Sequence, residues 1–154
     1  MAERLVIYDS FFGNTQKVAE AIGEALGDAN VKKVSDVSHD DLENLKILIV
    51  GSPTRAFQPS PDIKSFLKQF DRNALQGVKA AAFDTRLSLD NTDSGFLRTM
   101  IKLFGYADKI ISKNLQKAGA EIGMESEGFC VSDSEGPLVE GEIERAQTWA
   151  KQIL

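Results

Sequence analysis

Arg4-Leu-Val-Ile-Tyr-Asp9, followed by Ser10-Phe-Phe-Gly-Asn-Thr15 and by Gln16 to Leu26, is the stretch whose reading decides the fold. Leu5, Val6, Ile7 and Tyr8 form a short apolar run, whereas Val18, Ala21, Ile22, Ala25 and Leu26 recur at the three-and-four spacing of one helix face. A strand is therefore expected to end near Asp9 and a helix to start near Asn14. The turn between them carries Ser10, Asn14 and Thr15, and Gly13 lets the backbone come close to a ligand. A helix start offers unpaired N–H groups and the positive end of its dipole, so the turn makes a seat for a phosphate. Short turns of these residue types also simply cap helices.

Outward from there, Gly27 closes the helix, and Val31 to Val37 reads as a weaker strand near a sheet edge. Ser38 to Leu42 is a capped helical turn, with His39 as a solvent-exposed part of it. Ile47-Leu-Ile-Val50 is apolar at every position, which suits a strand buried on both faces of a parallel sheet. It runs into Gly51-Ser-Pro-Thr-Arg-Ala-Phe57. Asp62 to Phe70 is a helix with Ile63, Phe66, Leu67 and Phe70 on one face, and Val78 to Phe83 is the next buried strand. Asp84-Thr-Arg86 and a polar loop, Ser88 to Ser94, follow it. Gly95 to Ala118 is helical by period, with Leu97, Ile101, Phe104, Ile111, Leu115 and Ala118 along one side and Gly105 as a break. Ala120 to Met124 and Gly128 to Val131 form a last strand with an irregular middle. Glu140 to Leu154 closes the chain with Ile143, Ala146, Ala150 and Ile153 inward and Trp149 in the core or at its rim.

Strand and helix thus alternate, the pattern of an α/β fold: a three-layer, doubly wound, parallel five-stranded sheet of order 2-1-3-4-5. That order brings the loops after the first, third and fourth strands to one crevice. The 154 residues make a single domain, 1–154, and the formal charge of −5 disfavours nucleic acid as a partner. No apolar run reaches the length of a membrane span, and the N-terminus has no signal-peptide apolar region, so a cytoplasmic protein is expected. The single cysteine, Cys130, reads as a buried strand residue, and one histidine without a cysteine pair gives no metal-site spacing.

Ser10-x-x-Gly13-Asn14-Thr15 after a first strand resembles the phosphate loop of flavodoxin-like proteins. Neither G-x-G-x-x-G nor G-x-x-x-x-G-K-[ST] occurs, which argues against a dinucleotide fold and a P-loop. Gly51-Ser-Pro-Thr54 is similar to the second flavin-contacting loop of flavodoxins and flavodoxin-like quinone reductases, and Asp84-Thr-Arg86 to the third. The resemblance covers nearly the whole chain and implies FMN as cofactor. It implies the phosphate on Ser10, Phe11, Phe12, Gly13, Asn14 and Thr15, one side of the isoalloxazine on Pro53, Thr54, Arg55, Ala56 and Phe57, and the other on Asp84, Thr85 and Arg86. For Arg55 and Arg86, plain surface solvation stands as an equal reading.

The departures from that family matter too. Phe12 stands where many members have a hydroxyl, and the third loop offers no Tyr or Trp to stack on a ring. Losing one hydrogen bond to a charged group costs about 1.5–3 kcal/mol, which implies weaker FMN binding. No glycine occurs between Gly51 and Gly77, so a positive φ in the second loop would fall on Ala56 or Phe57, at about 1–2 kcal/mol. Three functions stay open: an FMN electron carrier docking a redox partner protein, an FMN-dependent NAD(P)H/quinone-type oxidoreductase with a small-molecule acceptor, and a binding module that has lost FMN. A receiver domain would need an acidic phosphorylation site at the end of the third strand, where Gly51 and Ser52 stand. A Cys-dependent phosphatase would need its cysteine in the first loop. Arg98, Lys102, Lys109, Lys113 and Lys117 recur at helical steps, as a solvated face or as a docking stripe for an acidic partner.

Overall fold

The chain folds around a parallel sheet with helices on both faces. The structure is a computed structural model that describes residues 3–87, 95, 99 and 105–154. The strands are β1 (Arg4–Tyr8), β2 (Ala29–Lys33), β3 (Ile47–Pro53), β4 (Lys79–Leu87), β5 (Glu121–Ile122) and β6 (Glu127–Val131). The α-helices whose bounds lie among the described residues are α1 (Asn14–Leu26), α2 (Pro61–Lys68), α3 (Ala107–Lys117) and α4 (Glu142–Ala150). The sheet order is β2-β1-β3-β4-β5, with β6 also paired to β4. All five pairings are parallel.

The expected order 2-1-3-4-5 is therefore present, but the sheet has six strands rather than five. The irregular middle of the last strand separates β5 from β6, and both hydrogen-bond to β4 at successive registers. The loop expected at Ser88 to Ser94, most of the helical stretch expected before Gly105, and Arg98 and Lys102 lie outside the described residues. α3 begins two residues after Gly105, which has a φ of +70°.

The strand alternation sorts side chains into two cores. Leu5 and Ile7, Leu48 and Val50, and Ala80 and Ala82 pack with Ile63, Phe66 and Leu67 of α2 and Ile111 and Leu115 of α3. Val6 and Tyr8, Ile47 and Ile49, and Ala81 and Phe83 pack on the opposite side with Val18, Ile22 and Leu26 of α1 and Ala146, Trp149 and Ala150 of α4. Gly51 is required at its position: a Cβ there would lie 2.0 Å from the Phe83 ring. Phe83, Phe129 and Trp149 meet edge to face, and Trp149 Nε1 donates to the Glu125 carbonyl at 2.9 Å, so Trp149 is a core residue.

Three local expectations are corrected. The second strand ends at Lys33, and Val34–Asp36 forms a 3₁₀ turn, because Val34 and Val37 turn onto the α2 side instead of continuing the sheet edge. β4 runs through to Leu87, so Asp84, Thr85 and Arg86 are strand residues whose polar groups are paired with one another or with neighbours. Cys130 is half-buried rather than buried. The turn at Ser38 has the expected capping box with Asp41, and His39 is exposed.

Candidate functional site

The carboxyl ends of β1, β3, β4 and β6 open on a cleft of about 640 Å³. The first loop lines it with Ser10, Phe11, Phe12, Asn14 and Thr15, the second with Pro53, Thr54, Arg55, Ala56 and Phe57, and β4 with Thr85 and Arg86. Twelve of the residues read from the sequence thus converge there. Gly13 forms the turn behind them, and Asp84 does not face the cleft.

The first loop delivers the chain into α1 with Gly13 at a φ of +92°, a backbone state that side chains disfavour. The Gly13 N–H donates to Ser10 Oγ at 3.0 Å. α1 then starts with no side-chain cap and no acidic residue in its first turn. Its dipole end is left for an anion in the cleft. Thr15 Oγ1 lies 2.7 Å from Thr85 Oγ1, and Asn14 Nδ2 donates to the Glu135 carbonyl at 3.1 Å. These bonds tie α1 to β4 and to the segment after β6. Phe11 and Phe12 are 46% and 51% exposed, so neither side chain belongs to the core.

The second loop is a tight hairpin. Arg55 and Gln58 exchange backbone hydrogen bonds of 2.9 Å each, and the two residues between them, Ala56 and Phe57, have φ of +49° and +67°. Two positive φ angles in a two-residue hairpin are the geometry for which Asn-Gly is preferred. Here Ala56 and Phe57 carry side chains in that conformation, and the surrounding bonds hold them there. Thr54 is committed as well: its N–H donates to the Thr85 carbonyl at 2.9 Å, and its Oγ1 accepts from the Ala107 N–H at 3.0 Å. The second loop therefore anchors the start of α3.

Below the cleft lies a cluster of charge. Arg86 Nε and Nη2 donate to the two oxygens of Asp84 at 2.7 and 2.6 Å, and Nη2 also approaches Asp108 Oδ1 at 3.2 Å. The Asp108 N–H donates to Asp84 Oδ2 at 2.9 Å, so Asp84 satisfies a backbone group at the start of α3. Burial pushes the Asp84 carboxyl up to about 7, while the Arg86 guanidinium pulls the other way. The paired carboxylates hold Arg86 above its ordinary value against the opposing effect of burial. The guanidinium also lies 3.6 Å from the centroid of the Tyr106 ring.

Tyr106, Leu87, Val131, Ser134 and Glu135 line the cleft without having been singled out in the sequence. Tyr106 supplies an aromatic where the third loop has none, but it lies twenty positions beyond Arg86 and reaches it only through the fold. Lys109, Lys113 and Lys117 are exposed on α3, which begins at the cleft and runs away from it.

The chain is 27% identical over 156 aligned positions to a protein from Methylocella silvestris described as an NAD(P)H dehydrogenase (quinone), with 83% of this chain and 75% of the relative covered. Its fold is similar to flavodoxin 2 from Bacillus cereus, with a TM-score of 0.75 at 22% identity, covering 99% of this chain and 97% of that one. It is also similar to a WrbA-like flavodoxin from Agrobacterium tumefaciens, with a TM-score of 0.71 at 19% identity over 97% and 93% of the two chains. The flavodoxin family model matches residues 6–151, nearly the full length. With its sheet order and three loops meeting at one cleft, the chain belongs to the flavodoxin family, whose cofactor is FMN.

Proposed function

We propose that this chain, as a single domain of residues 1–154, holds FMN in the cleft and passes electrons between it and a redox partner. The observation that carries this reading is the start of α1, which opens into the cleft with neither a side-chain cap nor an acid in its first turn. An anion of about −1.5 to −2 charge, such as a terminal phosphate, suits that unbalanced dipole end. When bound, FMN supplies an isoalloxazine that takes up and releases electrons. The protein's part is to hold and surround it.

In this reading Ser10, Asn14 and Thr15 donate to the phosphate, and the backbone of Phe11, Phe12 and Gly13 shapes its seat. Pro53, Thr54, Ala56 and Phe57 bound the ring on one side. Thr85 and Arg86 bound it on the other, with Tyr106 beside them. Asp84 acts through Arg86 and α3 and is a positioning residue. The partner is a redox protein or a small-molecule acceptor, and the compartment is the cytoplasm. No helix among the described residues is long and apolar enough to cross a membrane, and no described cluster of His, Cys, Asp or Glu has metal-site geometry.

A small-molecule acceptor is favoured by one feature of the cleft mouth. Phe11, Phe12 and Leu87, at 46%, 51% and 42% exposure, are large apolar side chains that line it. The relative described as an NAD(P)H dehydrogenase (quinone) supports the same reading. The visible spectrum of the protein as purified, and again after adding FMN, tests the cofactor. A flavin band from bound FMN is expected, and its absence in both cases would leave a binding module. Turnover of NAD(P)H with a quinone then separates an oxidoreductase from an electron carrier.

A further inference from the structure

We infer that Arg55 is the counter-charge for the cofactor's phosphate, and so the residue by which this cleft distinguishes FMN from uncharged riboflavin. The inference rests on the FMN reading above and assigns Arg55 a place at the phosphate end rather than beside the ring.

Among the described residues two arginines line the cleft, and they are not equivalent. Arg86 is committed to Asp84 at 2.6 Å and Asp108 at 3.2 Å, and its charge is more than balanced by them. Arg55 is exposed and forms no ion pair with a carboxylate among the described residues. Its guanidinium lies 4.8 Å from the centroid of the Phe11 ring. Phe11 is part of the first loop, two residues before Gly13 and the start of α1. The stack therefore ties a cation with no described ion-pair partner to the loop that leads into the phosphate seat. A guanidinium lying over an aromatic ring keeps its in-plane N–H groups for oxygen acceptors.

The side-chain donors of the seat itself are neutral. Phe12 offers no hydroxyl, the Thr15 hydroxyl is shared with Thr85 at 2.7 Å, and the Asn14 amide already gives one hydrogen bond to the Glu135 carbonyl. Glu135 also lines the cleft and carries the same sign as a phosphate. Charge-assisted hydrogen bonds from a guanidinium to phosphate oxygens are stronger than neutral ones. Arg55 supplies the positive charge that the neutral donors Ser10, Asn14 and Thr15 do not.

The test is calorimetric titration of the apoprotein with FMN and with riboflavin, at low and high salt, for the parent, Arg55→Met and Arg55→Gln. The parent should bind FMN more tightly than riboflavin, by a margin that shrinks as salt rises. Each variant should bind FMN at least about tenfold more weakly and keep the parent's riboflavin affinity, which also shows that it is folded. Unchanged FMN affinity in both variants would overturn the assignment. So would an equal loss for riboflavin, which would put Arg55 at the ring. A parent that binds neither ligand would overturn the FMN reading itself, a result distinct from those two.

Discussion

Phe12 is half exposed at the cleft and makes no contribution to either core, so its replacement tests the phosphate seat without disturbing packing. Phe12→Thr should tighten FMN binding by about tenfold or more, the effect of one added hydrogen bond to a charged group. Equal or weaker affinity on titration would show that a hydroxyl at this position does not reach the phosphate. Ala56 and Phe57 offer a second test at this scale. Both hold positive φ, so the strain anticipated from the sequence is a cost of folding. Replacing the pair by Asn-Gly should raise stability to urea by about 1–2 kcal/mol, since these residues suit the hairpin. A fall in stability would mean that the Phe57 side chain contributes more than its backbone costs. The sequence pointed to Ala56 and Phe57 as the positions for a positive φ, and the Arg55–Gln58 pairing shows the hairpin in which both adopt it.

The junction of β4 with α3 is held by one guanidinium between two carboxylates. Asp84 is fully buried with a carboxyl raised to about 7, so the folded protein holds that proton more tightly than the unfolded chain does. The stability this provides is fully present below the ordinary carboxylate range and is lost as pH rises through about 7. Removing Arg86 leaves burial unopposed and both acids without their cation. Arg86→Met should therefore cost about 3–5 kcal/mol at about pH 8, with a smaller loss at about pH 5, where the Asp84 carboxyl is protonated. Urea denaturation at the two pH values measures this, and a loss independent of pH would contradict the account. The same junction explains a misreading of the sequence. Asp84, Thr85 and Arg86 look like a loop because they are polar, yet each is satisfied in place: Asp84 by Arg86, Thr85 by Thr15. A strand residue paired in this way carries no apolar signal.

For the molecule as a whole, the fold was legible where burial on both faces leaves only apolar residues. Ile47 to Val50 is the clearest case, and the helix periodicity of Val18 to Leu26 is another. The split of the last position into β5 and β6 was visible only as an irregular middle, since Gly123 to Ser126 has neither strand nor helix period. The cleft was legible through its first two loops, whose Ser, Gly, Asn, Thr and Pro are local turn signals. Tyr106 and Glu135 were not, because they enter through the long connections after β4 and β6, whose landing points no local pattern encodes. The central claim is that the start of α1, with Ser10 and Thr15, is the seat of the FMN phosphate. Calorimetric titration of FMN into the apoprotein and into Ser10→Ala/Thr15→Val tests it most directly. The account predicts one FMN per chain in the parent and an affinity lower by about a hundredfold or more in the double variant, from two lost charge-assisted hydrogen bonds. A double variant that binds FMN as tightly as the parent would contradict it.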